Sequence, residues 1–342
     1  MPAPATLPGA DESAREGAIR SLPFTAPALL APMEGVTEPC FRGLVLARNP
    51  PEAIGGAFTE FARVSDHPLS VRFLERHLGP PRPTVGLQLM GPDSDAVAET
   101  ARRAEAIGAP LIDLNFGCPA KGALRSCAGS GLLDHPERIE ALVSACVAAV
   151  RRVPVTGKVR AGGENDTRLE EIALAVEAGG AALLTVHCRT RSEGYRDCAD
   201  WSRLRRAVDA VSIPVCGNGG VETHDDLERL RRETGCTFAM VGRAALADPW
   251  IFSGRRVDRA EAARFFADYA DALRVVERAT EQKIAGRVKQ LLRAWRAGGL
   301  FDDDRESWLA ERDPRRFAER IEALQGDAGR RSTSPPARRT AG

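Results

Sequence analysis

The strongest constraint on the fold is an alternation of eight short apolar runs with longer amphipathic segments. Short apolar runs bounded by glycine or proline are typical of buried strands, and apolar spacings of three and four are typical of helices. The predicted strands are Ala28–Ala31, Gly56–Phe58, Thr84–Leu89, Leu111–Leu114, Val155–Val159, Leu183–His187, Pro214–Gly217 and Phe238–Val241. Helices predicted between them include Asp93–Ile107, Pro136–Val150, Thr167–Ala178, Trp201–Ala210 and Thr223–Glu233. The alternation predicts an α/β fold of the (β/α)8 TIM-barrel type.

An open doubly wound sheet is the alternative for such an alternation, but no G-x-G-x-x-G follows the first predicted strand, which disfavours a dinucleotide-binding domain. Beyond Phe252 strand-like runs stop, and helical patterns follow at Arg259–Val276, Glu281–Ala297 and Pro314–Leu324. We therefore expect a barrel over residues 22–253 and a small helical domain over residues 254–325. Residues 1–21 and 326–342 have the composition of a disordered leader and tail.

Composition excludes several classes of protein. The formal net charge of the 342 residues is +1, so any surface for nucleic acid must be local. The eight cysteines form no compact framework and no C-x-x-C pair, and the five histidines are scattered, which predicts neither disulfides nor a metal site. Residues 1–21 lack the pattern of a signal peptide, and no window approaches the roughly 18 apolar residues of a membrane span. These features predict a reduced, soluble, cytoplasmic protein, and we expect a monomer.

Candidate site residues lie near or just after the end of every predicted strand, where a TIM barrel gathers its active site. They are Pro32-Met33-Glu34-Gly35, Thr59-Glu60-Phe61, Gln88, Asn115 with Cys118, Lys158 with Arg160, His187 with Arg189, Asn218-Gly219-Gly220, and Gly242-Arg243. The last two groups have the composition of a phosphate-binding site, in which glycines admit close approach and an arginine supplies charge. Two plain glycine turns are the alternative.

Cys118 lies between Gly117 and Pro119, in the loop that follows a predicted buried strand. That position suits a reactive thiol, although free cysteine more commonly packs in a core. Lys158 has two similar interpretations, since it can pair with an anionic cofactor in the barrel mouth or be a solvated charge on the rim. In the helical region, basic residues recur at helical spacing, which suits either a solvated face or contacts with a phosphate backbone. These residues are Lys283, Arg287, Lys289, Arg293 and Arg296.

Taken together, these segments resemble the tRNA-dihydrouridine synthase family, most closely its bacterial DusC-type branch. The resemblance covers about residues 29–324. It rests on L-A-P-M-E-G-V from Leu30, G-L-Q-L-M-G around Gln88, D-L-N-F-G-C-P from Asp113, G-K-V-R from Gly157, V-H-C-R-T from Val186, V-G-R-A-A-L from Val241 and R-V-K-Q-L-L from Arg287.

The resemblance implies an FMN enzyme that uses NADPH to reduce the C5–C6 bond of a tRNA uridine, with position 16 of the D-loop as the expected target. It implies that the flavin is held by Pro32, Met33, Glu34, Gln88, Lys158, His187, Asn218, Gly219, Gly220, Gly242 and Arg243. It further implies that Asn115 and Arg160 hold the target base, that Cys118 is the general acid, and that Arg287 and Lys289 belong to the tRNA-contacting helical domain. Two other functions stay open: an FMN-dependent barrel oxidoreductase acting on a small molecule, and a catalytically silent tRNA-binding protein.

Overall fold

The computed structural model describes residues 22–194 and 199–331. The predicted leader, residues 1–21, lies outside the described residues, as do residues 332–342 of the predicted tail. The predicted tail begins inside a helix, because the last helix continues to Arg331. Gly326 does not end this helix, since a glycine inside a helix costs only about 1 kcal/mol.

The described strands form one parallel sheet that closes into a barrel. They are β1 (Ala28–Leu30), β2 (Gly56–Phe58), β3 (Ala62–Arg63), β4 (Val85–Met90), β5 (Ile112–Phe116), β6 (Val155–Arg160), β7 (Leu184–His187), β8 (Val215–Asn218) and β9 (Phe238–Val241). The strand order is β2-β1-β9-β8-β7-β6-β5-β4-β3, and pairing of β2 with β4 closes the ring. The predicted TIM barrel is confirmed, with all eight predicted strands present and β3 as a short addition.

Helices cover the outside of the barrel between the strands. They are α1 (Pro39–Arg48), α2 (Val71–Leu78), α3 (Ser94–Ala106), α4 (Lys121–Arg125), α5 (Pro136–Ala149), α6 (Leu169–Ala178), α7 (Ser202–Ala210), α8 (His224–Thr234) and α9 (Ala244–Ala247). The five helices predicted in this region differ from the structure by only one or two residues at their ends. The loop predicted after Cys118 instead contains α4 and a 3-10 helix, Gly129–Asp134.

Apolar side chains fill the barrel interior at the end where the strands begin. Phe24, just before β1, packs edge-on against Phe238 and lies against Phe58, with ring centroids 5.6 and 5.7 Å away. With neighbours such as Leu29 and Leu111, these rings form a separate buried cluster. The barrel is therefore closed at this end, and only the opposite rim, where the strands end, is left for a site.

The C-terminal helices are α10 (Arg259–Val275), α11 (Glu281–Leu292), α12 (Arg305–Ala310) and α13 (Pro314–Arg331), with a 3-10 turn at Ala297–Gly299. The helix predicted over Glu281–Ala297 ends at Leu292, earlier than predicted. This region shares one continuous core with the helices around the barrel. Aromatic rings pack across the junction. The ring centroid of Trp250, just after α9, lies 5.7 Å from that of Phe265 and 6.2 Å from that of Trp295, both in the C-terminal region.

A buried polar contact also links the two regions. Tyr269 of α10 donates a hydrogen bond of 2.6 Å to Glu38, whose carboxylate also accepts the backbone N–H groups of Cys40 and Phe41 at the start of α1. One carboxylate oxygen of Glu38, one carboxylate oxygen of Glu277 and Sγ of Cys40 lie within 4.8 Å of one another. Burial raises the pKa of Glu38 to about 7, although these hydrogen bonds act to lower it.

None of the helices among the described residues is long and apolar enough to span a bilayer. The seven cysteines that the structure describes are free thiols, and Cys198 lies outside this part of the chain. The expected monomer and the expected lack of a metal stay predictions.

Replacement of Glu38 by Gln should remove a pH dependence of stability. The folded protein keeps the Glu38 proton up to about pH 7, whereas the unfolded chain loses it near pH 4.3. This carboxyl therefore favours the folded state fully below about pH 4.3, and that contribution is lost as the pH rises to 7, by about 3 kcal/mol. We measure the free energy of unfolding in urea between pH 5 and 8. The value for the wild type should fall relative to that for Glu38→Gln as the pH rises. A constant difference would contradict this assignment.

Candidate functional site

A cavity of about 970 Å³ opens at the rim formed by the strand ends. Its wall contains thirteen of the sixteen residues to which the family resemblance assigns a role: Pro32, Met33, Glu34, Asn115, Cys118, Lys158, Arg160, His187, Asn218, Gly219, Gly220, Gly242 and Arg243. Parallel register accounts for this convergence, because Asn115 pairs with Lys158, Arg160 with His187, and His187 with Asn218 on successive strands. Residues at similar heights on adjacent parallel strands reach the same rim.

Cys118 lies on the cavity wall with 9% of its surface exposed. Its loop is held on several sides. The Asn115 carboxamide oxygen accepts the backbone N–H groups of Gly117 and Cys118 at 2.9 and 3.0 Å, and the Ser130 hydroxyl donates to the Cys118 carbonyl at 2.9 Å. Arg160 donates from Nε to the Gly117 carbonyl at 2.8 Å. Burial raises the pKa of the Cys118 thiol, so the protonated thiol predominates at neutral pH.

Positive charge converges at the part of the wall formed by β6 and β7. Lys158 donates to the Asn218 carboxamide oxygen at 3.4 Å and lies near Arg160. Burial, followed by the charge of Arg160, lowers the pKa of Lys158 to about 8. Burial and the charges of Lys158, Arg160, Arg189 and Arg243 hold the pKa of His187 well below its ordinary value. A bound anion would relieve this repulsion, so the wall suits a phosphate or another anionic group.

The loop after β8 needs glycine for two reasons. Gly219 and Gly220 have φ values of +111° and +74°, in the region that favours glycine. A Cβ atom on Gly219 would lie 2.7 Å from Sγ of Cys188 and 2.9 Å from the His187 ring. The backbone can therefore pass close to His187, as the predicted phosphate loop requires.

The other three of these sixteen residues do not line the cavity. Gln88 is fully buried, and its carboxamide lies between Asp113 and Asn115. Arg287 donates to the carbonyl of Gly35 in the loop after β1. Lys289 points toward α12, where it donates to the carbonyl of Leu309 at 3.0 Å and to that of Glu311. Their predicted contacts with flavin and tRNA stay predictions, but Arg287 and Lys289 already hold protein carbonyls.

Other arginines of the C-terminal region take part in the cavity wall instead. Arg293, Arg296 and Arg305 line it. Arg293 and Arg296 are exposed, and within the described part of the chain neither guanidinium forms an ion pair or a hydrogen bond. Both belong to the basic series noted in the sequence. Helical spacing does not show which of its members faces the barrel, so the sequence alone does not single out these two arginines as ligands.

Comparisons with known proteins agree with the motifs in the barrel. A family model described as Dihydrouridine synthase (Dus) matches residues 29–294. The tRNA-dihydrouridine(16) synthase of Ralstonia nicotianae is 40% identical over 233 residues, which cover 65% of this chain and 70% of that protein. The enzyme of the same name from Shewanella oneidensis is 34% identical, over 76% of this chain and 82% of its own. A probable tRNA-dihydrouridine synthase of Rhizobium leguminosarum bv. phaseoli is 33% identical, over 86% and 93%.

Alkylation should distinguish Cys118 from its neighbour Cys127, which is exposed and has a φ of +47°. Because burial both shields the Cys118 thiol and raises its pKa, we expect iodoacetamide at pH 8 to modify Cys118 about tenfold more slowly than Cys127. Peptide mass spectrometry over time measures both rates in one sample. Equal rates would show that the Cys118 loop is open.

Proposed function

Because the chain belongs to the dihydrouridine synthase family, we propose that it reduces a uridine of tRNA to dihydrouridine, with FMN as cofactor and NADPH as reductant. The observation that carries this proposal is the position of a protonated, partly shielded Cys118 in a cavity whose wall also contains Lys158, Arg160 and His187. The names of the Ralstonia and Shewanella relatives support position 16 as the target.

The described residues fit an FMN group. The charges of Arg189 and Arg243 near His187 suit its phosphate, and the close backbone approach allowed by Gly219 and Gly220 suits a phosphate loop completed by Gly242 and Arg243. Lys158 would contact the isoalloxazine ring, and Pro32, Met33 and Glu34 would line its length. When bound and reduced, FMN supplies the hydride that uracil receives at C6.

The chain itself supplies the remaining chemistry. Saturation of the uracil C5–C6 bond needs a proton at C5, and the Cys118 thiol is a protonated donor on the cavity wall. Arg160 and Asn115 lie beside it and would orient the base. Arg160 is already fixed by the carbonyls of Gly117, Thr190 and Gly194, so its guanidinium is preorganised.

A uridine in folded tRNA reaches such a cavity only after it leaves its stack, which costs a few kcal/mol. Phosphate contacts can offset this cost. We propose that Arg293 and Arg296 make these contacts, because both are exposed on the cavity wall and neither guanidinium is paired with another described residue. Under this proposal residues 254–325 form the tRNA-contacting part of the chain. Arg287 connects this part to the loop after β1, and Lys289 stabilises it internally.

Loss of the Cys118 thiol should slow turnover strongly without loss of flavin or tRNA binding. We expect Cys118→Ala to form dihydrouridine in unmodified tRNA at least about a hundredfold more slowly than the wild type, because a general acid typically contributes 10²–10⁴-fold. Mass mapping of tRNA after incubation with FMN and NADPH measures the rate and identifies the position.

Cys127→Ala is the matched control, since Cys127 is an exposed thiol nearby that has no assigned role. Turnover by Cys118→Ala at the wild-type rate would exclude Cys118 as the acid. A flavin-loaded wild type that forms no dihydrouridine, but oxidises NADPH with a small molecule, would favour the other barrel oxidoreductases.

Removal of one wall arginine should weaken tRNA binding rather than chemistry. For Arg296→Ala we expect a severalfold higher KM for tRNA, an unchanged kcat, and a slope of log affinity against log salt reduced by about 1. Arg151→Ala is the control, because Arg151 is exposed just before β6, at the opposite end of the barrel. An identical effect of the two substitutions would contradict a specific contact by Arg296.

A further inference from the structure

A chain of side-chain hydrogen bonds crosses the barrel interior from Thr156 to the loop that carries Cys118. Thr156 donates from its hydroxyl to Asp113 at 2.6 Å, and Gln88 donates from Nε2 to the other Asp113 oxygen at 2.6 Å. Asn115 donates from Nδ2 to Oε1 of Gln88 at 2.8 Å. Oδ1 of Asn115 then accepts the backbone N–H group of Cys118 at 3.0 Å.

The register of three strands produces this arrangement. Gln88 of β4 pairs with Asp113 of β5, and Asp113 pairs with Thr156 of β6. Paired residues on adjacent parallel strands project to the same side, so the three side chains form one layer inside the barrel. All three are fully or almost fully buried, and water is therefore a poor substitute for any of these hydrogen bonds.

The carboxylate of Asp113 sets the direction of the hydrogen bonds that lead from it to the Cys118 loop. An ionised carboxylate only accepts hydrogen bonds, so Asp113 requires Gln88 to present its NH2 group. The carboxamide oxygen of Gln88 then faces Asn115 and requires that side chain to present its own NH2 group. Asn115 is left with its oxygen toward the loop, where the N–H groups of Gly117 and Cys118 need an acceptor.

We propose that Asp113 is a positioning residue, and that its buried carboxylate fixes the Cys118 loop through the oriented carboxamides of Gln88 and Asn115. The role of this loop in catalysis rests on the proposed function, but the fixing of the loop does not. Burial raises the pKa of Asp113 to about 6, while the bonds from Gln88 and Thr156 and the charge of Lys158 act to lower it. Above this pH the group is the pure acceptor that the argument requires.

The decisive variant is Gln88→Glu, which places a second carboxylate against Asp113 in the same volume. Two facing carboxylates hold one shared proton at lower pH and repel each other once it is lost. With the proton shared, the oxygen toward Asn115 is retained and the loop stays fixed. After its loss the two groups move apart and the loop is released, so we expect Cys118 to be alkylated at least fivefold faster than in the wild type at pH 8.5. At pH 6 the difference should be smaller.

Exchange of the two groups supplies the rescue. In Asp113→Asn with Gln88→Glu, the asparagine NH2 group donates to the glutamate, and the glutamate's other oxygen accepts from Asn115. One negative charge remains and each bond toward the loop keeps its direction. We therefore expect the double variant to restore the alkylation rate of Cys118 to within twofold of the wild type at pH 8.5. A general disturbance of packing would not be reversed by a second substitution in the core.

The readout is the rate of iodoacetamide modification of Cys118, measured by peptide mass spectrometry on the purified protein with its flavin content recorded by absorbance. Thr185→Val is the control, because Thr185 is fully buried on β7 but lies outside the chain of bonds. An unchanged Cys118 rate in Gln88→Glu, or a double variant as fast as the single one, would overturn the proposal. If Gln88→Glu does not fold, Gln88→Met tests the same release without added charge, and an unchanged rate there would equally overturn it.

This measurement needs no tRNA, so it separates two kinds of failure. A wild type without dihydrouridine activity would defeat the proposed function and leave the alkylation result intact. The opposite outcome is a wild type that forms dihydrouridine, together with a double variant whose Cys118 is alkylated as fast as in Gln88→Glu alone. That result would leave the proposed function standing and contradict the role of Asp113.

Discussion

The whole site depends on the parallel pairing of eight strands in a closed ring. Every strand contributes its carboxyl end to one rim, and the ladder fixes the height of each side chain relative to its neighbours. Asn115 lies in the same cavity as Lys158 and Arg160 because β5 and β6 are in register, although more than 40 residues separate Asn115 from the other two in the chain. Aromatic packing around Phe24 closes the opposite end.

Charge at this rim is tolerated because it is held in place. The guanidinium of Arg160 spans three backbone carbonyls, and Asp113 lies below Lys158 as a partial counter-charge. The same groups that fix the Cys118 loop therefore also set the electrostatic potential of the cavity. Burial keeps Cys118 protonated and His187 neutral, so the wall combines neutral donors with fixed cations.

Much of this arrangement was predictable from the sequence, since strand pattern, strand-end residues and fold type depend on local periodicity and on one topological rule. The hydrogen-bond partners of Gln88 and Lys289 within the folded chain were not. In a sequence, a glutamine near a strand end has the same pattern whether its side chain faces a ligand or a buried aspartate. Only the register of the neighbouring strand shows which residue lies beside it. Lys289 and Arg293 belong to the same basic series. The spacing of that series does not show how the helix packs against the barrel, and this packing decides which of the two side chains faces the cavity.

The shared aromatic core between barrel and C-terminal helices bears on how such a protein can change over evolutionary time. Trp250, Phe265 and Trp295 pack across the junction, and Glu38 on one side is bonded to Tyr269 on the other. The two regions are not interchangeable modules. A new RNA target would have to arise by replacing side chains on a fixed scaffold, because transplanting the helices would leave half of this core without its complement.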